Sequence, residues 1–522
     1  MSIKNDQGLS EPLPGYIQSA GVIVQREAEI FWSTALIVAS IVLFITFTRA
    51  GLFLACCLGL AVVVATVLFI DKLTYVFVFS FALMPHFVGV ATPSGLPDIT
   101  STRALILYYT CFSLLFNRST IFANIKKLRM DMINAALIIF VVTNGLVFLA
   151  HRTGVAANAL LVLMFEDIFV FYLVFLNIRN YKEARGCFTA LLLCAGLLCL
   201  FAIFEFFTGI NIFSRYGTLG NVSLFDSSRS LMRLGSIRVY TAFGHPIAMG
   251  CYTLLIFPIA FNLFLNENNS FRKYFYFSLS GLLVIMLLFA LSRMPILCFI
   301  GSFALLFIVI KREQKTKFIK VMCIALALGI ICLAGGLIPE FVINTLSSLA
   351  ATLTGGSVDD FGGNAGASRG RLNLIPITLE ALEGKMLLGA GLNYLQTVKI
   401  YYFDYHKNPY MPYLINTFDN DHLKRFLYGG FIGAGGYIVL YGVFMLHALR
   451  TARDKRVGEE LNVIAQSVFV AMCAYLISLA AVDHLGTIPI YFTITAVFAA
   501  AVRESAHGSV EMAGPLSSAH ND

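Results

Sequence analysis

Charge is the scarcest property of this chain: Asp, Glu, Lys and Arg together make up 13% of its 522 residues, against 58% hydrophobic residues and a mean hydropathy of +0.81. So little charge excludes a string of ordinary soluble domains. The signatures of nucleotide and metal enzymes are missing as well, with no Walker-type glycine loop, HExxH, GxSxG or Rossmann fingerprint. Each of the 11 cysteines, Cys56, Cys57, Cys194, Cys298 and Cys473 among them, lies in an apolar run and none in a long loop. That placement argues against disulfides and zinc. The apolar runs are continuous rather than short and alternating, which argues against a barrel. No repeat relates the two halves of the chain, which disfavours transporters built from duplicated bundles.

What remains is hydrocarbon. A bilayer core takes roughly 20 apolar residues per helical span, and runs of that kind recur almost from end to end. They lie near 30–48, 51–70, 73–91, 103–117, 132–151, 156–178 and 187–208, then near 247–265, 274–292, 294–310, 319–338, 425–449, 461–482 and 487–503. The fold class expected is all-α, a polytopic helical membrane protein with about 12–14 transmembrane helices and a large extracytoplasmic loop. Lys4, Asp6, Glu11, Pro12 and Pro14 precede the first apolar run, so the first span is expected to serve as an uncleaved insertion signal.

Orientation follows from where the positive charge falls. Alternate short loops carry Arg118, Lys126, Lys127 and Arg129; Arg179, Lys182 and Arg185; Arg272 and Lys273; Lys311, Arg312, Lys315 and Lys317; and Arg450, Arg453, Lys455 and Arg456. The opposite short loops hold little beyond Arg49, Arg103 and Arg152. By the positive-inside rule the first set is cytoplasmic, as are both termini. The formal charge of +8 therefore records orientation and calls for no nucleic acid. The resulting layout is a cytoplasmic tail (1–29), an N-terminal bundle (30–208), a first long outer loop (209–246), central helices (247–338), a large outer loop with a partly helical site region (339–424), C-terminal helices (425–503) and a cytoplasmic tail (504–522).

The two long outer loops hold most of the candidate chemistry. Arg215, Arg229, Arg233 and Arg238 crowd the smaller one, and Arg369 and Arg371 precede a helix-like run to Leu388 in the larger. They read either as a solvated basic surface or as a phosphate site, since guanidinium groups bind phosphate oxygens through paired hydrogen bonds. Arg293, between two apolar runs with almost no loop, reads as a snorkelling charge or as a partner for an anionic ligand. Glu166 and Asp167 form the most deeply placed acidic pair. They diverge by about 100° around a helix and so cannot share one site; they read as a relay or, preferentially, as buried polar contacts. His86, Glu205, Asp483 and His484 receive the same structural reading. Tyr394, Tyr401, Tyr402, Phe403, Tyr405, Tyr410, Tyr413 and Phe418 offer either faces for sugar rings or an interfacial belt. Asp419 and His422, three apart, share a helix face suited to a general base, although Asp and Asn are also ordinary caps at a helix start.

Four segments together resemble the O-antigen ligase and Wzy-type polysaccharide polymerase superfamily. They are Arg238-Val-Tyr-Thr-Ala-Phe-Gly-His-Pro; Ser292-Arg293; Arg371-Leu-Asn-Leu followed by Gly389-Ala390-Gly391; and Asp419-Asn420-Asp421-His422-Leu423 with Gly430 and Gly433. They cover about residues 233–440. The family's closing histidine position is occupied by Asp419, and His422 falls three residues later.

The resemblance implies a metal-independent, inverting glycosyltransferase of the bacterial inner membrane that needs no cofactor. It would act on the periplasmic side on a polyprenyl-diphosphate-linked oligosaccharide, with an acceptor glycan as second substrate and chain-length regulator and export proteins as partners. Arg238, Arg293 and Arg371 would bind the diphosphate, Asp419 or His422 would act as base, and Arg233, His245, Arg369 and Asn420 are further candidate contacts. Polymerisation of exopolysaccharide or O-antigen repeat units is preferred. The alternatives are ligation of glycan to a lipid A core, or a flippase or secondary transporter. The topology is checked with single cysteines in a cysteine-free background. Ser227→Cys should react with an impermeant thiol reagent applied from outside, and Lys315→Cys only after permeabilisation.

Overall fold

The computed structural model describes residues 64, 72–85, 89–90, 97–126, 128, 130–213, 232–233, 236–354, 374–398, 401–403, 412–414, 418, 420–483 and 486–513. The expected spans near 30–48 and, apart from Val64, 51–70 lie outside the described residues, as do Arg369, Arg371 and Asp419. Apart from Val64, everything below belongs to one unit, Ile70–Asp522.

Helices dominate, because lipid leaves a spanning backbone no other partner for its polar groups. In chain order those of eight residues or more are α1 Leu73–Leu83, α2 Ser101–Phe116, α3 Arg118–Lys126, α4 Met132–Ala150, α5 Gly154–Asn177, α6 Tyr181–Thr208, α7 Pro246–Asn266, α8 Ser270–Phe289, α9 Arg293–Val309, α10 Arg312–Ala334, α11 Glu340–Thr354, α12 at 374–381, α13 Asp421–Arg453, α14 Glu459–Leu479 and α15 Ile488–Ala513. Among the described residues nine helices are long and apolar enough to cross a membrane, and α1, α2 and α9 are shorter apolar helices. The chain is an all-α polytopic membrane protein. Three two-residue or three-residue hairpins, Gly89–Val90 with Ile99–Thr100, Met232–Arg233 with Ser236–Ile237, and Tyr401–Phe403 with Pro412–Leu414, are the sheet structure described.

Most starts are written locally. Thr100, Asp131, Thr153, Asn180, Asn269 and Asn420 each accept a backbone N–H of their own first turn, as capping residues do. Pro246 opens α7, where its missing N–H is of no consequence. α6 ends on Gly209 at φ +69°, the left-handed residue that closes many helices. The helix-like run from Arg371 to Leu388 is shorter than its sequence suggested: helix gives way to turns after residue 381, and Gly384 sits at φ +72°.

α7 and α14 form the buried centre and pack against each other, with α8, α9 and α13 around them. Asn262 on α7 is fully buried and donates to the Val463 carbonyl at 3.0 Å and to Ser467 Oγ at 3.0 Å on α14. In hydrocarbon such a bond fixes the register of two helices. Ion pairs tie the basic loops together at one end of the bundle: Arg185 to Glu460 at 2.7 Å and Lys311 to Glu459 at 3.2 Å. Arg503 donates to the Ile178 carbonyl at the same end.

At the other end α13 is interrupted. Gly430 has φ +57° and ψ −155° in the middle of the helix, a conformation essentially confined to glycine. Phe431 and Ile432 would ordinarily donate to the carbonyls of Leu427 and Tyr428. Instead Phe431 N donates to Met386 O at 2.9 Å and Ile432 N to Leu387 O at 3.1 Å. The released carbonyls accept from Ala390 N at 2.8 Å and Gly391 N at 3.0 Å. The segment 386–391 thus slots into the broken helix, and its backbone comes so close that a Cβ on Gly389 would lie 2.5 Å from Gly430 N. Leu374, Leu382, Ala390, Phe418 and Leu427 form an apolar cluster around the junction.

Gly389→Ala or Gly430→Ala should therefore destabilise the protein by roughly 1–3 kcal/mol or more through forced backbone strain, seen as a lower thermal unfolding midpoint in detergent. Gly435→Ala, where a Cβ meets nothing within 4 Å, should be neutral.

Candidate active site

The arginine-bearing segments meet at the end of the bundle opposite the basic loops. Val239 N donates to Phe289 O at 3.1 Å, and Arg238 Nε donates to Ala290 O at 3.2 Å, three residues before Arg293. Arg238 is buried, with 8% of its surface exposed, and Arg293 is half-buried at the start of α9. α7 crosses α9 closely, since a Cβ on Gly250 would lie 2.8 Å from Pro295. That crossing sets the start of α7, with His245 as its cap, beside the start of α9.

Both segments carry backbone strain. Thr241 has φ +46° and Leu291 φ +47°, and both are buried. A non-glycine residue held in that region costs of the order of 1–3 kcal/mol. Glu205, in the last turn of α6, faces the first segment. Its carboxylate accepts from Tyr240 N at 3.2 Å, Thr241 N at 2.9 Å and Asn211 Nδ2 at 2.7 Å.

The closing segment sits nearby on α14. Asn420 caps α13, and Asp421 N donates to Val482 O at 3.2 Å. His422 is exposed, and its Nε2 lies 2.8 Å from the Leu476 carbonyl. A carbonyl only accepts, so Nε2 is the donor in this contact. Cys251 on α7 reaches Ser478 on α14 at 3.5 Å, so the His245 end of α7 and the His422 segment abut the same last turns of α14. The segment 386–391 meets this end too, with Gly391 against His151. Of the candidate contacts, Arg233 is described only as backbone in its hairpin.

Several residues singled out by sequence have structural partners. Glu166 pairs with Arg103 of α2 at 2.5 Å, both about one-sixth exposed, and Asp167 is buried. Both acids lie in a π-helical turn, Met164–Phe169, which the apolar run gave no means of anticipating. Asp483 pairs with Lys424 at 2.7 Å. One group escaped sequence reasoning: Arg425, its side chain 10% exposed, pairs with Asp421 at 2.5 Å and stacks over Tyr437 at 3.7 Å across the Gly430 break. Its signal was available in the four-residue spacing of Asp421 and Arg425. Among the described residues no group of three or more His, Cys, Asp or Glu could hold a metal ion.

Fold and site together define a multi-pass membrane protein that gathers arginines, histidines and a broken helix at one end of its bundle. Residues 278–438 match the family model for O-antigen ligase. This match supports membership of the chain in the O-antigen ligase/Wzy superfamily, whose activity at the family level is glycosyl transfer of the ligase or polymerase type. No curated protein matches the chain. The matched region contains Arg293, Gly389, Gly391, His422 and Gly430, whereas Arg238 and Glu205 lie before it.

Burial, and secondarily the Arg238 charge, lower the His245 pKa to about 4. His245 is then neutral at pH 7, with Nδ1 accepting from Ile247 N at 3.1 Å. Because the folded value lies below the unfolded one, its contribution to stability is fully present above about pH 6.5. It is lost as pH falls towards 4. Thermal unfolding followed from pH 7 to pH 4 should show this loss, and His245→Asn, which keeps a capping residue, should flatten it.

Proposed function

We propose that the chain is a polysaccharide polymerase, joining repeat units carried on polyprenyl diphosphate at the periplasmic face of the inner membrane. The observation that carries this reading is the direct bonding of the Arg238 segment to the turn that leads into Arg293, within a superfamily of glycan ligases and polymerases. Arg293 stands at the N-terminus of the 17-residue helix α9, so the helix dipole and the guanidinium both favour an anion there. Arg371 completes the set proposed to hold the diphosphate.

In the reaction proposed, an acceptor sugar hydroxyl attacks the anomeric carbon from the face opposite the diphosphate. The new C–O bond forms as the bond to the leaving oxygen breaks, and configuration inverts. The bonding electrons leave with the polyprenyl diphosphate, whose growing charge the arginines stabilise. This is the role of fixed charges in a site that excludes water, and it lets the transfer proceed without a metal. The hydroxyl proton passes to Asp419 or to Nδ1 of His422.

Ligation to a lipid A core is the second reading, favoured by the description of the matching family as O-antigen ligase. The acceptor separates the two. A deletion strain should accumulate single repeat units on lipid carrier; long chains stranded on carrier would establish ligation instead. Purified protein given a synthetic polyprenyl-diphosphate oligosaccharide, without nucleotide sugar or metal, should lengthen it. Arg293→Ala should slow that reaction by roughly 100-fold or more, the scale on which loss of one charge-stabilising donor is felt. An undiminished rate would overturn its role.

A further inference from the structure

We propose that Glu205 is a positioning residue that sets Arg238 for its anionic ligand by clamping the backbone corner that follows it. The proposal rests on the reading of Arg238 as a diphosphate ligand, and it assigns a function to a buried acid lying before the family-matched region.

Burial of a carboxylate in the last turn of a membrane helix is costly unless its oxygens are satisfied. Glu205 is 3% exposed, and its partners among the described residues are three neutral donors. Two are consecutive backbone amides, Tyr240 and Thr241, and the third is Asn211, which also donates to Thr241 O at 3.1 Å. Gly209 makes this possible by turning the chain back after α6, so that Asn211 reaches the acid six residues before it.

One carboxylate and one amide thus grip both the N–H and the C=O of Thr241. That residue is β-branched, fully buried and held at φ +46°, a conformation that does not persist without such a grip. On the other side the corner is held by Val239 N on Phe289 O. Arg238 directly precedes the Val239 anchor, and its Nε donates to Ala290 O at 3.2 Å. The fork of the guanidinium is therefore aimed by a backbone that Glu205 holds in its strained shape. Glutamine at 205 presents an NH2 group where an acceptor is required, so at least one of the three donors loses its partner.

The test uses the full-length protein in nanodiscs and two readouts, affinity for sugar-free polyprenyl diphosphate and steady-state glycan transfer. Glu205→Gln should weaken diphosphate binding about 10-fold and lower kcat more than it raises KM, the pattern of an interaction used in the transition state. In an Arg238→Ala background it should add less than about 2-fold to either loss, because its effect runs through that arginine. Asn211→Ala, a milder release of the same corner, should act in the same direction and also fall silent in Arg238→Ala. It serves as the test if Glu205→Gln does not fold. Equal losses in both backgrounds, or a loss of thermal stability with binding and kinetics unchanged, would overturn the inference. Coupled diphosphate binding without glycan transfer would leave the positioning role standing and sink the polymerase reading; transfer without coupling would do the reverse. A wild-type protein that binds no diphosphate would remove both.

Discussion

Between Leu427 and Ile432 a membrane helix gives up two of its own hydrogen bonds and makes them with another part of the chain. In a bilayer this exchange is allowed only if every released group finds a new partner, since an unpaired backbone group there costs several kcal/mol. The segment 386–391 supplies all four partners, two carbonyls and two amides, and glycine at 389 and 430 lets the two backbones touch. The consequence reaches beyond local stability. The large loop is joined by main-chain bonds to the helix that begins with Asn420, Asp421 and His422, and Arg425 spans the break from Asp421 to Tyr437.

A second junction of the same kind organises the smaller loop. There the backbone of Val239 joins the end of α8, a buried acid holds the corner at Thr241, and strain at Thr241 and Leu291 marks the two places where the chain is bent to bring arginines together. Strain of this sort gathers where surrounding structure over-determines a geometry that function needs. The two junctions meet on the last turns of α14, through Cys251 on one side and His422 on the other. The opposite end of the bundle shows a different logic. Its basic residues are matched by Glu459, Glu460 and helix-end carbonyls, which is what orientation and loop solvation ask of them.

Much of the scaffold was legible in the chain. Each described span coincides with an apolar run, because run length against bilayer thickness is a one-dimensional property. The helix start at Asn420 was legible for the same reason, since a cap bonds to amides two or three residues away. Arg293 stood out because charge between apolar runs demands a partner. The end of the helix after residue 381 and the π-turn around Glu166 were not legible. Both depend on what packs alongside, and propensity carries no record of that.

What the sequence determined by itself, then, was a helical membrane protein, the sorting of its positive loops, and the shortlist of arginines and of the Asp419–His422 segment. All of these rest on composition, run length and short spacing. Only the tertiary structure decided that Val239 joins Phe289, that Glu205 holds Thr241, and that Gly389 enters the helix at Gly430. These contacts join residues some 35 to 50 positions apart. Their energy comes from buried backbone groups with no other partner, and no local pattern of side chains encodes which distant amide will supply it.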